Sequence, residues 1–148
     1  MPTDQPSELS VFFSFSGRIN RVTFWAGQIT LLAVYFLGAI ASETIYVATE
    51  DTDAQYVVAL MYLIGFALLL YCKFAILAKR WHDHDKSGWW SLIGLVPVIG
   101  AIWIFIELGC FVGDEDWNRF GPPPNGRTVG PPPDRKAKQT RSPFLEDM

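Results

Sequence analysis

His82, Asp83, His84 and Asp85 place two imidazoles and two carboxylates in four consecutive positions, with Lys79 and Arg80 before them and Lys86 after. Such a run suits three chemistries. Imidazole with carboxylate is a donor set for zinc or iron. A His oriented by an Asp is a general base. A mixed-charge cluster at a helix end can also neutralise itself and hold phosphate.

The metal reading fails on spacing. On a helix the facing neighbours are three and four apart, so Arg80 meets Asp83 or His84, whereas His82 and His84 point in different directions. The chain has no third His, and its two cysteines, Cys72 and Cys110, stand apart without ligand-like spacing. No metal site and no cofactor is expected. For catalysis the candidates are His82 and Asp83, with Ser14, Ser16 and Ser87 on the same predicted side of the chain. None of these serines sits in a recognisable nucleophile turn. The third reading is architectural: Arg80 pairs with Asp83 and Lys86 with Asp85, the two His fill polar gaps, and Gly88 permits the turn into Trp89.

The elements that position this run are apolar. The chain has 148 residues, half of them hydrophobic and 18% charged, and residues 22–42, 54–72 and 87–106 carry no charge at all. Each run is about the length needed to cross a hydrocarbon layer of roughly 30 Å. A chain this short cannot wrap three all-round apolar helices in polar protein, so the expected class is an all-α, polytopic membrane protein with about three transmembrane helices. The third is interrupted by Pro97, between Gly94 and Gly100, and is expected to be kinked or broken there. One arrangement is a single kinked span that puts the tail outside. The other is a shallow half-helix and a return helix, which would let Lys73 meet Glu107. The simple three-span arrangement is the preferred one.

Charge gives orientation. No Lys or Arg occurs between Arg21 and Lys73, while Glu43, Glu50, Asp51 and Asp53 crowd the first loop. The positive-inside rule then puts the amino terminus and the 79–88 loop in the cytoplasm and the acidic loop outside. Phe12, Phe13 and Phe15 suggest a short interfacial segment ending at Gly17. Arg18 and Arg21 then stand at phosphate level, Asn20 is a helix cap, and Trp25 and Trp89 sit in the aromatic belt. Lys73 is expected to snorkel from about 7 Å below the interface. With a net charge of −3, nothing suggests a nucleic acid partner. The organisation expected is a polar tail over 1–9, a membrane domain over 10–124 and a Pro-rich tail over 125–148.

Four stretches, "FFSFSGRINRVTFW" at 12–25, "AKRWHDHDKSGWW" at 78–90, "LIGLVPVIG" at 92–100 and "NRFGPPP" at 118–124, together resemble the family called domain of unknown function 805, the YhaH-like proteins. The resemblance covers about residues 10–124. It implies a small multi-span protein of the bacterial inner membrane and supplies no reaction. The family's arginine, apolar, histidine, aspartate run falls on Arg80, Trp81, His82 and Asp83, and its glycine-tryptophan turn on Gly88 and Trp89. His84 and Asp85 lie outside that pattern.

The function expected is that of a non-enzymatic membrane protein. Its cytoplasmic rim of Arg18, Arg21, Arg80, Trp89 and Arg119 binds anionic lipid headgroups or a membrane partner, or locks the amino-terminal segment to the loop. Its partners are membrane lipids and a second copy or another membrane protein. The alternatives are an enzyme using His82 and Asp83, and a subunit of an oligomeric transporter.

Overall fold

The structure, a computed structural model, describes residues 8–49 and 52–124. The expected tails at 1–9 and 125–148 lie almost wholly outside the described residues. Helix α1 spans Glu8–Phe13, α2 Arg21–Ala48 and α3 Thr52–Asp83. Beyond them come a 3₁₀ helix over Gly88–Leu95, a short α4 over Ile99–Ile104 and a π turn over Phe105–Cys110.

Helix α2 starts where the cap was expected: the Asn20 side chain accepts from the Thr23 N–H at 2.8 Å. Helices α2 and α3 form a long antiparallel hairpin, and both are long and apolar enough to cross a membrane. Their outward side chains, among them Leu37, Ile40, Leu60 and Leu63, stay exposed, as lipid-facing residues do. Tyr35 of α2 packs between Tyr62 and Phe66 of α3 across the hairpin. Nearer the charged end Gly27 lets the two helices pack closely, a Cβ there standing 2.8 Å from the Ile76 Cδ1.

The third apolar stretch is not one helix of crossing length. In place of a kinked span there is a hairpin. The 3₁₀ helix ends at Leu95, the chain turns through Val96–Val98, and α4 comes back along it. Gly100 lies so close to the Ile93 carbonyl that any Cβ would overlap it, and Val98 is held at φ 64°, a conformation that β-branched residues rarely adopt. The two ends of the segment meet. The Asp114 N–H donates to the Asp83 carbonyl at 2.8 Å, and Lys86 pairs with Glu107 at 2.5 Å. The expectation that Asp114 would lie at the far end of a third span is therefore corrected. Glu107 is partnered by Lys86 rather than Lys73, because the return helix brings it back to the end of α3.

The buried core sits at this same end. Val11, Ile19, Phe24, Ile76, Leu77, Trp81 and Leu108 form one cluster joining α1, α2, α3 and the π turn. Trp25 does not face a headgroup belt alone: its Nε1 donates to the Gly109 carbonyl at 3.3 Å, and its ring fills the space that a side chain at 109 would need.

Candidate functional site

The end of α3 carries the charged run, and its side chains diverge around the helix. Arg80 is 1% exposed and Asp83 3%. One Asp83 oxygen accepts from Arg18 at 2.9–3.0 Å, and the other accepts from Arg80. Neither arginine stops there. Arg80 also donates to the carbonyls of Ile19, Leu108 and Phe111. Arg18, 7% exposed, donates to those of Asp114, Asp116 and Gly121. Two guanidiniums on one carboxylate leave an excess positive charge in a buried place, and the six carbonyl dipoles disperse it.

The Arg80–Asp83 pair expected from spacing is thus present, but it is the centre of a larger lock. Arg18 joins the segment before α2 to the end of α3 and to the strap formed by residues 113–121. Gly113 passes so close that a Cβ would overlap the Asp83 carboxylate. The strap also satisfies carbonyls that the end of α3 leaves open. Asn118 donates to His82 O at 2.8 Å, while the N–H groups of His84 and Lys86 bond Trp81 O. Lys79, 3% exposed, donates to the carbonyls of Ser10 and Val11. Tyr71 donates to that of Phe13 at 3.2 Å. Together they close the open end of α1.

His82 leaves this cluster in another direction. Its ring stacks on Phe120 at 3.8 Å, nearly parallel, and its Nδ1 lies 3.2 Å from the Gly17 carbonyl. A carbonyl only accepts, so Nδ1 carries the proton. Asp83 does not orient this imidazole. His82, Ser87, Trp89, Tyr71 and Phe74 border an apolar groove of about 550 Å³ between Phe15, α3 and the 3₁₀ helix. His84 is partly buried and its Nε2 has no partner. Burial, with Arg80 beside it, pushes its pKa down to about 4, so it is neutral at pH 7.

The expected Lys86–Asp85 pair is replaced by longer-range partners. Lys86 takes Glu107 and lies over the rings of Trp81 and Trp90, while Asp85 takes Arg119 at 3.3 Å. Of the other rim candidates, Trp89 is 79% exposed. Arg21 is exposed, with one bond to the Cys110 carbonyl at 3.1 Å. Among the described residues no group of three or more His, Cys, Asp and Glu could hold a metal ion, and Cys72 and Cys110 are both free. Sequence reasoning missed Glu107 as Lys86's partner and Asp114 as a neighbour of Asp83. The one available signal was the Gly94, Pro97, Gly100 pattern, which marks a turn as readily as a kink.

The model of the family described as "Protein of unknown function (DUF805)" matches residues 12–122. The chain is similar to the inner membrane protein YhaH of Escherichia coli K12, with 29% identity over 116 residues, covering 78% of this chain and 91% of YhaH. It is also similar to the inner membrane protein YhaI of the same strain, with 31% identity over 118 residues, covering 80% and 92%. YiiR of that strain is 26% identical over 135 residues. No solved structure matches. The match spans α2, α3, the returning hairpin and the strap, and the two long helices supply the crossings. The chain belongs to the DUF805 family and is a multi-pass protein of the bacterial inner membrane.

Proposed function

We propose that this is a non-catalytic membrane protein whose charged end lies at the cytoplasmic surface and binds lipid headgroups through Arg21, Arg119 and Trp89. Arg18 and Arg80 position that surface rather than touch lipid. Residues 88–110 enter and leave the bilayer on the same side, as a re-entrant pair sheltered by α2 and α3. The observation that carries the reading is the lock on Asp83: both of its oxygens are taken by buried arginines, which withdraws the acid that His82 would need. The basic residues near the same end and the acidic first loop support the cytoplasmic placement. Phospholipid retained by the purified protein tests it, comparing wild type with Arg21→Ala, Arg119→Ala and the double variant. The double variant is expected to lose most of its retained lipid. Equal occupancy in all four well-folded proteins would sink the reading.

A second reading has one observation in its favour. The protonated Nδ1 leaves the lone pair of His82 on Nε2, near Gly88 at the groove that Ser87 borders. An enzyme would use that nitrogen as its base. A serine-directed phosphonate probe that labels the wild type and not His82→Ala would favour it over lipid binding alone.

A further inference from the structure

The groove of about 550 Å³ beside His82 is polar at one end only. One wall is a face of α3, on which Tyr71, Phe74, Ala78 and His82 recur at helical spacing. At 1.5 Å per residue, Tyr71 and His82 stand roughly 16 Å apart along the helix axis. Residues 13–17 run beside that face and are tied to it at both ends. Tyr71 donates to Phe13 O at 3.2 Å, and His82 Nδ1 to Gly17 O at 3.2 Å. The 3₁₀ helix forms another wall, where Trp89 and Leu92 are exposed.

The polar groups near His82 are uncommitted. With the proton on Nδ1, His82 Nε2 offers a lone pair, and a Cβ on Gly88 would stand 3.5 Å from it. The Ser87 hydroxyl, one residue earlier, makes no capping bond to the 3₁₀ helix. Ser91 lies one 3₁₀ turn past Gly88 on the same face, roughly 6 Å along the axis. It borders the groove, is 3% exposed, and its Oγ has no partner. A buried hydroxyl left unpaired costs free energy that a ligand recovers by bonding it. Among the described residues that line the groove none is Asp, Glu, Lys or Arg. An anionic or cationic headgroup therefore meets no counter-charge on these walls.

The polarity also runs the way a lipid lies. His82 is at the charged end of α3, and Tyr71 is nearer the middle of that crossing helix. We infer that this groove is a site for an uncharged glycerolipid of the monoacylglycerol class, with its hydroxyl head at His82 and its one acyl chain along α3. One head hydroxyl donates to His82 Nε2 and the other bonds Ser87. The ester carbonyl, a few bonds on, is the partner that the Ser91 hydroxyl lacks. The chain then lies on Phe74 and runs toward Tyr71. This site goes beyond the headgroup surface proposed above and does not rest on it. The two share Trp89, but the groove uses neither Arg21 nor Arg119.

The test is native mass spectrometry of the full chain in an amine-oxide detergent, which has no hydroxyl to compete. The protein is titrated in turn with monooleoylglycerol, methyl oleate and oleate, which share one acyl chain. Wild type is expected to bind monooleoylglycerol about tenfold more tightly than either of the others, the order of the hydrogen bonds that methyl oleate lacks. His82→Phe keeps a ring against Phe120, removes the acceptor, and brings monooleoylglycerol within about twofold of methyl oleate. Ser87→Ala, whose lost hydroxyl caps nothing, lowers the preference about threefold and serves where His82→Phe fails to fold. Arg21→Ala lowers phospholipid retention and leaves the preference as it is, so the groove and the headgroup surface fail separately. Methyl oleate or oleate bound by wild type as tightly as monooleoylglycerol overturns the site. A preference unchanged in Ser87→Ala and in folded His82→Phe overturns the assigned residues, and one lost in Arg21→Ala overturns the groove in favour of the headgroup surface.

Discussion

Replacing Asp83 by Ala removes the one carboxylate between two buried guanidiniums. Its side chain is 4% exposed and those of Arg18 and Arg80 are 1%, so neither arginine can turn to water without unpacking the strap or the core. Breaking a buried pair by deleting one partner costs about 3–5 kcal/mol, and here the deletion leaves two cations facing each other. For a chain of this size that lowers the unfolding midpoint by roughly 10 °C, read in detergent by thermal aggregation and size exclusion. A comparison with Arg18→Met, Asp83→Leu, Arg80→Met in one chain separates two explanations. Many buried ion clusters tolerate apolar replacement. This one should not, because the arginines also satisfy six backbone carbonyls; the triple variant removes those donors, and Gly121 O keeps the Asn118 N–H while the other five lose their arginine. Asp83→Ala within about 1 kcal/mol of wild type, the range of an exposed pair, or a triple variant as stable as wild type, would show that this lock does not hold the fold.

Gly113→Ala should destabilise by about 1–3 kcal/mol, since its Cβ overlaps the Asp83 carboxylate and carbonyl. Gly38→Ala, with nothing near the added atom, should be neutral or stabilise by up to about 1 kcal/mol; the reverse order in a thermal-shift series would contradict the packing described. His84 is neutral in the fold and binds a proton more readily when unfolded. Its contribution is therefore complete above its ordinary value of 6.5 and is lost as pH falls toward about 4, with a slope of at most about 1.4 kcal/mol per pH unit. His84→Leu should flatten that slope in a pH series of unfolding midpoints, and an unchanged slope would assign it to another group. Lys79→Met should free α1, seen as faster proteolysis before Gly17, because Lys79 bonds the Ser10 and Val11 carbonyls.

The two crossing helices were legible because charge-free runs of bilayer length need no tertiary information. Their ends were less so. Helix α2 runs on to Ala48 and α3 to Asp83, past the apolar windows, since a helix stops where its backbone finds other partners and not where hydropathy falls. Asn20 as a cap and Arg80 with Asp83 were readable because both are local. The partners of Arg18, Lys86 and Asp114 were not, because they come from chain closure: 65 residues separate Arg18 from Asp83. The third apolar run passed the length test yet folds as a hairpin. Length cannot distinguish a span from two half-spans when Gly100 lets the backbone return against Ile93.

In the proposed arrangement Arg21, Asp83, Asp114 and Arg119 all lie on the same side of the membrane. Substituted-cysteine accessibility tests it, in a chain whose Cys72 and Cys110 are replaced by Ala, with single cysteines at Glu43, Lys86 and Asp116. An impermeant maleimide added to spheroplasts is expected to label Glu43→Cys and to leave Lys86→Cys and Asp116→Cys unlabelled until the membrane is opened. Labelling of Asp116→Cys in sealed spheroplasts, with Lys86→Cys still protected, would place the strap across the bilayer from the end of α3, against the bond from Asp114 N–H to Asp83 O that joins them.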